Sequence, residues 1–179
     1  MSVDSRMISR LLRHTAGERG LAMTPDGWAA IGDVLRVLGM ERGRLDRAVV
    51  ENDKRRLQVD GERIRACQGH SLAGMPVRRE ALENSWERVY PEELLWHGTT
   101  ERVVPVIRRE GLKPGRRTHV HLVPEIGSPV GRQTKVDVWL GVVSVNLAVY
   151  RAPNGVLLVR EVPAGAIVDA VHSPRWSHR

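Results

Sequence analysis

The chain changes period near residue 75, and that change limits the folds open to it. Before Gly74-Met75-Pro76, apolar residues recur at helical spacing; after it, Val and Leu gather in short runs broken by Pro and Gly. Helices first and strands later, in 179 residues, read as an α+β chain of two small domains, 1–75 and 76–179.

In the first part, residues 4–14 read as a helix with Asp4 or Ser5 as N-cap and Met7, Ile8, Leu11 and Leu12 as its buried stripe. Arg13 and His14 then fall in its last turn, where cations complement the helix dipole. The turn around Pro25, Asp26 and Gly27 returns Trp28 toward the core. A second helix is expected over 29–38, closed by Gly39. A third is expected over 42–52, with Leu45, Ala48, Val49 and Val50 inward. Runs 57–59 and 63–66 flank Asp60-Gly61 and read as a hairpin. Three helices and a hairpin follow the order of a winged helix, a fold that often binds nucleic acid, although fold order alone is analogy.

Strand-like runs follow at 94–96, 118–122, 136–143, 156–162 and 166–171. The stretch 94–122 predicts strand, polar turn, a helix with Val103, Val106 and Ile107 on one face, a stop at Gly111, and a second strand. That order brings His97-Gly98-Thr99 close to His119 and His121, an arrangement suited to a small-molecule site.

Charge narrows the partner. Lys and Arg outnumber acids by 28 to 21, a net charge of +7, which favours a polyanion and nucleic acid first. The single Cys67 excludes an intramolecular disulfide and a cysteine-based zinc site. No apolar run approaches the roughly 20 residues of a membrane span, and acidic Asp4 stands where a signal core would be. A soluble, cytoplasmic protein without membrane contact is expected.

Most catalytic signatures are missing. His119 and His121 share a strand face at period two, but no acid lies at a matching interval and HExxH is absent, so no metal is expected. Ser71 lacks a nucleophile elbow, Cys67 lacks a base nearby, and phosphate loops do not occur. What remains is arginine beside polar turn groups at four places: Arg13-His14, Arg55-Arg56, Arg65 with Gln68-Gly69-His70, and Arg116-Arg117. Planar, permanently charged guanidinium groups suit a phosphate dianion and its transition state. Together they make sense if both domains contribute to one cleft.

Read in order, LLRH, DGW, NDKRRL, IRACQGHS, HGT, RTHVHL, NGV and VP resemble the RNA 2′-phosphotransferase family of the Tpt1/KptA type, from about Ser9 to Val162. The resemblance implies an N-terminal winged-helix lobe and a C-terminal, β-rich ADP-ribosyltransferase-like lobe. It also implies a monomer that removes an internal 2′-phosphate from RNA, as left at a tRNA splice junction, and consumes NAD+ without a metal. In that reaction a 2′-phosphate oxygen attacks the nicotinamide ribose and nicotinamide leaves. The ribose O2″ then attacks phosphorus, releasing 2′-OH RNA and ADP-ribose 1″,2″-cyclic phosphate. The family tetrad falls on Arg13, His14, Arg56 and Arg117: the arginines bind phosphate and stabilise the transition state, and His14 holds the phosphate and donates a proton. Arg65, Gln68 and His70 would line the RNA-phosphate side. His97, Gly98 and Thr99, with His119, His121, Asn154, Gly155 and Val156, would hold NAD+. The chain departs from the family at Val123, at Leu157 and at VGRQTK, where Arg132 stands as a candidate for the family arginine. Two rivals are an ADP-ribosyltransferase acting on terminal phosphates of RNA or DNA, and a non-catalytic RNA-binding module.

Overall fold

The computed structural model describes residues 2–52, 55–128 and 136–173. Arg132 and the tail 174–179 lie outside the described residues, as do Asp53 and Lys54 of the NDKRRL motif. The described chain mixes helix and sheet, as an α+β chain should. It divides into two compact units: Met1–Glu87 with Gly115–Thr118 and Ala152–Asn154, and Arg88–Pro114 with His119–Arg151 and Gly155–Arg179.

The first unit opens with α1 (Val3–Arg10). Its N-cap is Ser2, one of the preferred capping types, whose side chain accepts from the Ser5 N–H at 3.2 Å; Asp4 instead supplies negative charge inside the first turn. Ile8 is fully buried, but Met7 is 39% exposed, so the buried stripe is narrower than its apolar residues suggest. The α-helix does not run on to His14. After Arg10 the backbone widens into a π-helical turn, Leu11–Thr15, which still buries Leu11 and Leu12 side by side.

Ala29–Ala30 is not helical; it forms strand β1 against Ile64 and Arg63, and the Ile31 N–H bonds to the Glu62 carbonyl. Helix α2 therefore spans Ile31–Leu38. Helix α3 spans Arg42–Val50, and Val50 is 86% exposed because about 100° per residue turns it away from Leu45 and Ala48. Strands β2 (Leu57–Asp60) and β3 (Arg63–Ala66) pair with Asp60 opposite Arg63, so the hairpin loop is Gly61-Glu62, one residue later than the sequence reading. β3 lies between β1 and β2.

The first unit continues past residue 75. Helix α4 (Arg79–Asn84) and its flanks are tied to the helix-and-hairpin part by Arg78 N–H to the Pro25 carbonyl at 2.9 Å, Arg65 Nη1 to Ser85 Oγ at 2.9 Å and Trp86 Nε1 to the Cys67 carbonyl at 3.1 Å. The composition shift thus marks the start of α4, whereas the packing changes at Glu87.

The second unit contains two sheets. One has the order β4 (Glu87–Val89), β8 (Val149–Arg151), β9 (Leu157–Val159), β6 (Val120–Leu122), and the other β10 (Ile167–His172), β7 (Val138–Val142), β5 (Leu95–Thr99). β5 and β6 meet in one antiparallel bridge, Trp96 with Val123, whose two hydrogen bonds are 2.8 and 2.9 Å. All five β7 residues are buried, and Leu95, Leu122, Leu140 and Leu157 anchor this unit's core. Between β5 and β6, a short 3-10 turn (Glu101–Val103) precedes α5 (Val104–Glu110). Val104 and Ile107 face the core while Val106 is 46% exposed, a different face from the one the spacing suggested.

Candidate active site

The candidate site in the first unit is built on the π-helical turn. The Arg13 carbonyl lies in this turn, and the Ser71 N–H bonds to it at 2.9 Å. The Ser71 hydroxyl reaches the next residue, 2.9 Å from His14 Nδ1. Ser71 also forms an antiparallel bridge with Arg117, flanked by Leu72 N–H to the Arg116 carbonyl and Thr118 N–H to the His70 carbonyl. These bonds place Gly115–Thr118 in the first unit. The expectation that the second domain supplies Arg117 is therefore corrected: Arg13, His14, Arg56 and Arg117 all belong to one unit.

Arg56 is set by the end of α3. Buried Asn52 accepts from the Arg56 N–H through Oδ1 at 3.3 Å and donates from Nδ2 to Ser5 Oγ at 3.2 Å. Arg55 takes a positive φ of 44°, an unfavourable value for a side-chain-bearing residue, and the Cys67 N–H bonds to the Arg56 carbonyl at 2.8 Å. The strained residue therefore lies directly beside a proposed phosphate ligand.

Arg13 is the electrostatic centre. Among the described residues its Nε and Nη2 are buried without a hydrogen-bond partner, although a buried guanidinium normally satisfies its donors. Burial first, then the charges of Arg56 and Arg117, push Arg13 down to about 10. Gly69 makes room for it: φ is 87°, and a Cβ there would stand 3.4 Å from the guanidinium carbon. Burial and the charges of Arg13, Arg117 and Arg10 lower His14 below the ordinary imidazole range, and burial also lowers Arg117. None of these stated effects on Arg13 or His14 comes from a carboxylate. Arg13, His14, Arg56 and Arg117 thus gather positive charge in one unit, chemistry that suits an anion. A pocket of about 690 Å³ opens beside it, lined by His14, Ser71, Leu72, Ala73, Gly115, Arg116 and Arg117.

The three residues expected on the RNA side are buried. Arg65 is 5% exposed, bonded to Gln58 Oε1, the Asp26 carbonyl and Ser85 Oγ, with its guanidinium 4.6 Å from the Trp28 ring centre. His70 is fully buried, its ring against Gly27, and Gln68 is buried too. Cys67 is inert as a nucleophile at neutral pH, since burial pushes its thiol up to about 11.

In the second unit, His97 Nδ1 lies 3.0 Å from the His121 carbonyl, so the two histidine-bearing segments do meet. Trp96 uses its N–H and C=O on Val123, so strand alternation aims those of Gly98 at the same edge of β5. There the His97 ring approaches the His121 carbonyl. A Cβ at Gly98 would lie 3.0–3.1 Å from the Val136 and Trp139 side chains, which would have to give by a few tenths of an ångström. His97, Gly98 and His121 keep open surface, whereas Thr99, His119 and Val156 are buried supports. Asn154 is grouped with the first unit, and Gly155 takes a φ of 83°.

Residues 2–161 match the RNA 2′-phosphotransferase, Tpt1 / KptA family. The chain belongs to that family. It is 41% identical over 174 residues to a probable RNA 2′-phosphotransferase of Burkholderia lata, covering 89% of this chain and 86% of that one. Probable RNA 2′-phosphotransferases of Pseudomonas savastanoi pv. phaseolicola (34% over 172 residues, 88% of each chain) and Streptomyces griseus (35% over 180 residues, 89% and 91%) are similar along the same length.

Sequence reasoning passed over Ser71, Gly69 and Asn52, which lie against the residues matched to the family tetrad. Gly69 and Ser71 lie inside IRACQGHS, and Asn52 opens NDKRRL. Their role depends on contacts across 47 to 57 residues of chain, which local spacing does not encode. An anion site with a desolvated cation also has a thermal signature. Because burial holds Arg13 below the ordinary guanidinium range, its charge costs stability at every pH below about 10, and a bound anion would relieve that cost. Inorganic phosphate or a 2′-phosphomononucleotide at about 100-fold its Kd should raise Tm by about 5–10 °C. Differential scanning fluorimetry checks this, and Arg13→Ala should abolish the shift.

Proposed function

We propose that this chain removes an internal 2′-phosphate from RNA, of the kind left at a tRNA splice junction, with NAD+ consumed as co-substrate. The single observation behind this reading is the buried, partnerless donor edge of Arg13 beside Arg56 and Arg117. Those three guanidinium groups bind the phosphate dianion and offset the charge that builds on its oxygens in the transition state. His14 donates a hydrogen bond to the phosphate. The three helices and β2–β3 hairpin support a winged-helix, RNA-binding lobe, and the two-sheet second unit supports an ADP-ribosyltransferase-like lobe.

NAD+ supplies the ribose that takes the phosphate, so 2′-phosphorylated RNA and NAD+ give 2′-OH RNA, nicotinamide and ADP-ribose 1″,2″-cyclic phosphate. The edge of β5 at Gly98, with His97 and His121, would hold the carboxamide end; Thr99, His119 and Val156 support it from within, and Asn154-Gly155 completes the expected set. The substrate is already anionic, so no base is needed to make the nucleophile.

Incubation with NAD+ and a short oligonucleotide bearing one internal 2′-phosphate tests the reading, with products separated over time. The expected products are dephosphorylated RNA and the cyclic phosphate. With Arg56→Ala, an RNA carrying ADP-ribose should accumulate, because the phosphorus then lacks one of its cations. A wild-type reaction that stops at ADP-ribosylated RNA would replace this proposal with a terminal-phosphate ADP-ribosyltransferase. Binding without any nicotinamide release would reduce the chain to an RNA-binding module.

A further inference from the structure

We propose that Ser71 is a positioning residue: its hydroxyl donates to His14 Nδ1, which puts the ring proton on Nε2 and turns that N–H toward the phosphate. The inference rests on the phosphate-site reading above and names how one member of that site is held in its working state. Three bonds converge on Ser71. Its N–H holds the Arg13 carbonyl at 2.9 Å, its Oγ lies 2.9 Å from His14 Nδ1, and its backbone bridges Arg117. One residue therefore fixes the backbone or ring of three tetrad members, and both Ser71 and His14 line the same pocket.

The direction of the hydroxyl bond follows from the surroundings. The charged groups acting on the ring are Arg13 on its own turn, Arg10 at the end of α1, and Arg117 from Gly115–Thr118. Three cations and partial burial favour the neutral ring. A neutral imidazole has one donor and one acceptor nitrogen, and the bond at one decides the role of the other. Were Nδ1 to carry the proton and donate to Ser71, the Nε2 lone pair would face the phosphate and repel it. Donation by Ser71 leaves Nε2–H as a donor to the anion, without a fourth positive charge crowded among the arginines.

The test uses 15N-labelled full-length enzyme without substrate, so it does not depend on whether the proposed reaction occurs. Long-range 1H–15N spectra are recorded across pH, and His14→Gln assigns the signal. In wild type, the neutral His14 ring should carry its proton on Nε2; a proton on Nδ1 would overturn the inference without any variant. Because the Ser71 bond stabilises the neutral ring, Ser71→Ala should raise the His14 midpoint by roughly half a unit to one unit. An unchanged or lowered midpoint overturns the proposal, since a hydroxyl that only accepts from Nδ1–H would leave that result. Ser71→Thr, which keeps the hydroxyl, should restore the wild-type midpoint. Turnover of 2′-phosphorylated RNA should fall about tenfold in Ser71→Ala and recover in Ser71→Thr. If no turnover occurs even in wild type, the functional reading fails while the tautomer result still stands or falls alone.

Discussion

Arg13→Lys should lower the rate of 2′-phosphate removal by about a thousandfold, a loss comparable to removing a preorganised donor from other transition-state sites. The change keeps a positive charge but replaces a rigid two-pronged edge with a flexible point charge. The two buried donor atoms of Arg13, Nε and Nη2, have no counterpart in lysine. The surroundings also act on the substitute. The burial and neighbouring cations that bring Arg13 down to about 10 would bring an ammonium group down toward neutrality. Residual activity of Arg13→Lys should therefore fall further as pH rises above neutral, while wild type, whose arginine stays charged, should not share that decline. Steady-state rates of the two enzymes between pH 6 and about 9 check both parts. A lysine variant within tenfold of wild type at all of these values would rule out bidentate binding by Arg13.

Gly17→Ala carries a large expected effect on stability. A Cβ at residue 17 would lie 2.0 Å from the Gly74 carbonyl oxygen, a contact that backbone on one side or the other must move to relieve. Overpacking of this kind costs about 1–3 kcal/mol, which for a chain of this size corresponds to roughly 2–12 °C in Tm. The damage should also reach the site. Gly17 follows the π-helical turn, and Gly74 follows the segment in which Ser71 grips Arg13 and His14. Forcing the two apart should reduce turnover severalfold in protein that is still folded. Thermal melts and rates measured well below Tm separate the two losses.

Much of the secondary structure was legible because its signals are local. Helix α2 with its Gly39 stop, the Gly61 hairpin and the β5–α5–β6 order each follow from residues a few positions apart. The misreadings share one cause. Leu11-Leu12-Arg13-His14 has good helix formers, and nothing in them demands a π-turn; that widening accompanies a bond from Ser71, far along the chain. Arg65 alternates along a strand as a solvent-facing arginine would, yet Trp28, Gln58 and Ser85 enclose it from three separate segments. His70 reads like a ligand beside Gln68 until its ring is found against the Gly27 turn. For the candidate site, the tetrad could be read from motif resemblance, whereas the residues that orient it could not, because they act through backbone carbonyls and a hydroxyl.

The polypeptide enters the first compact unit on three occasions, the second time for only four residues, Gly115–Thr118, and the third for Ala152–Asn154. Conventional domain dissection is therefore closed to this chain. A fragment cut at a linker would lose one arginine of the quartet together with its strand partner, so neither half could be transplanted, permuted or expressed alone with its chemistry complete. Selection on such a protein must act on distant stretches at once, because any crossover between Arg13 and Arg117 splits the quartet.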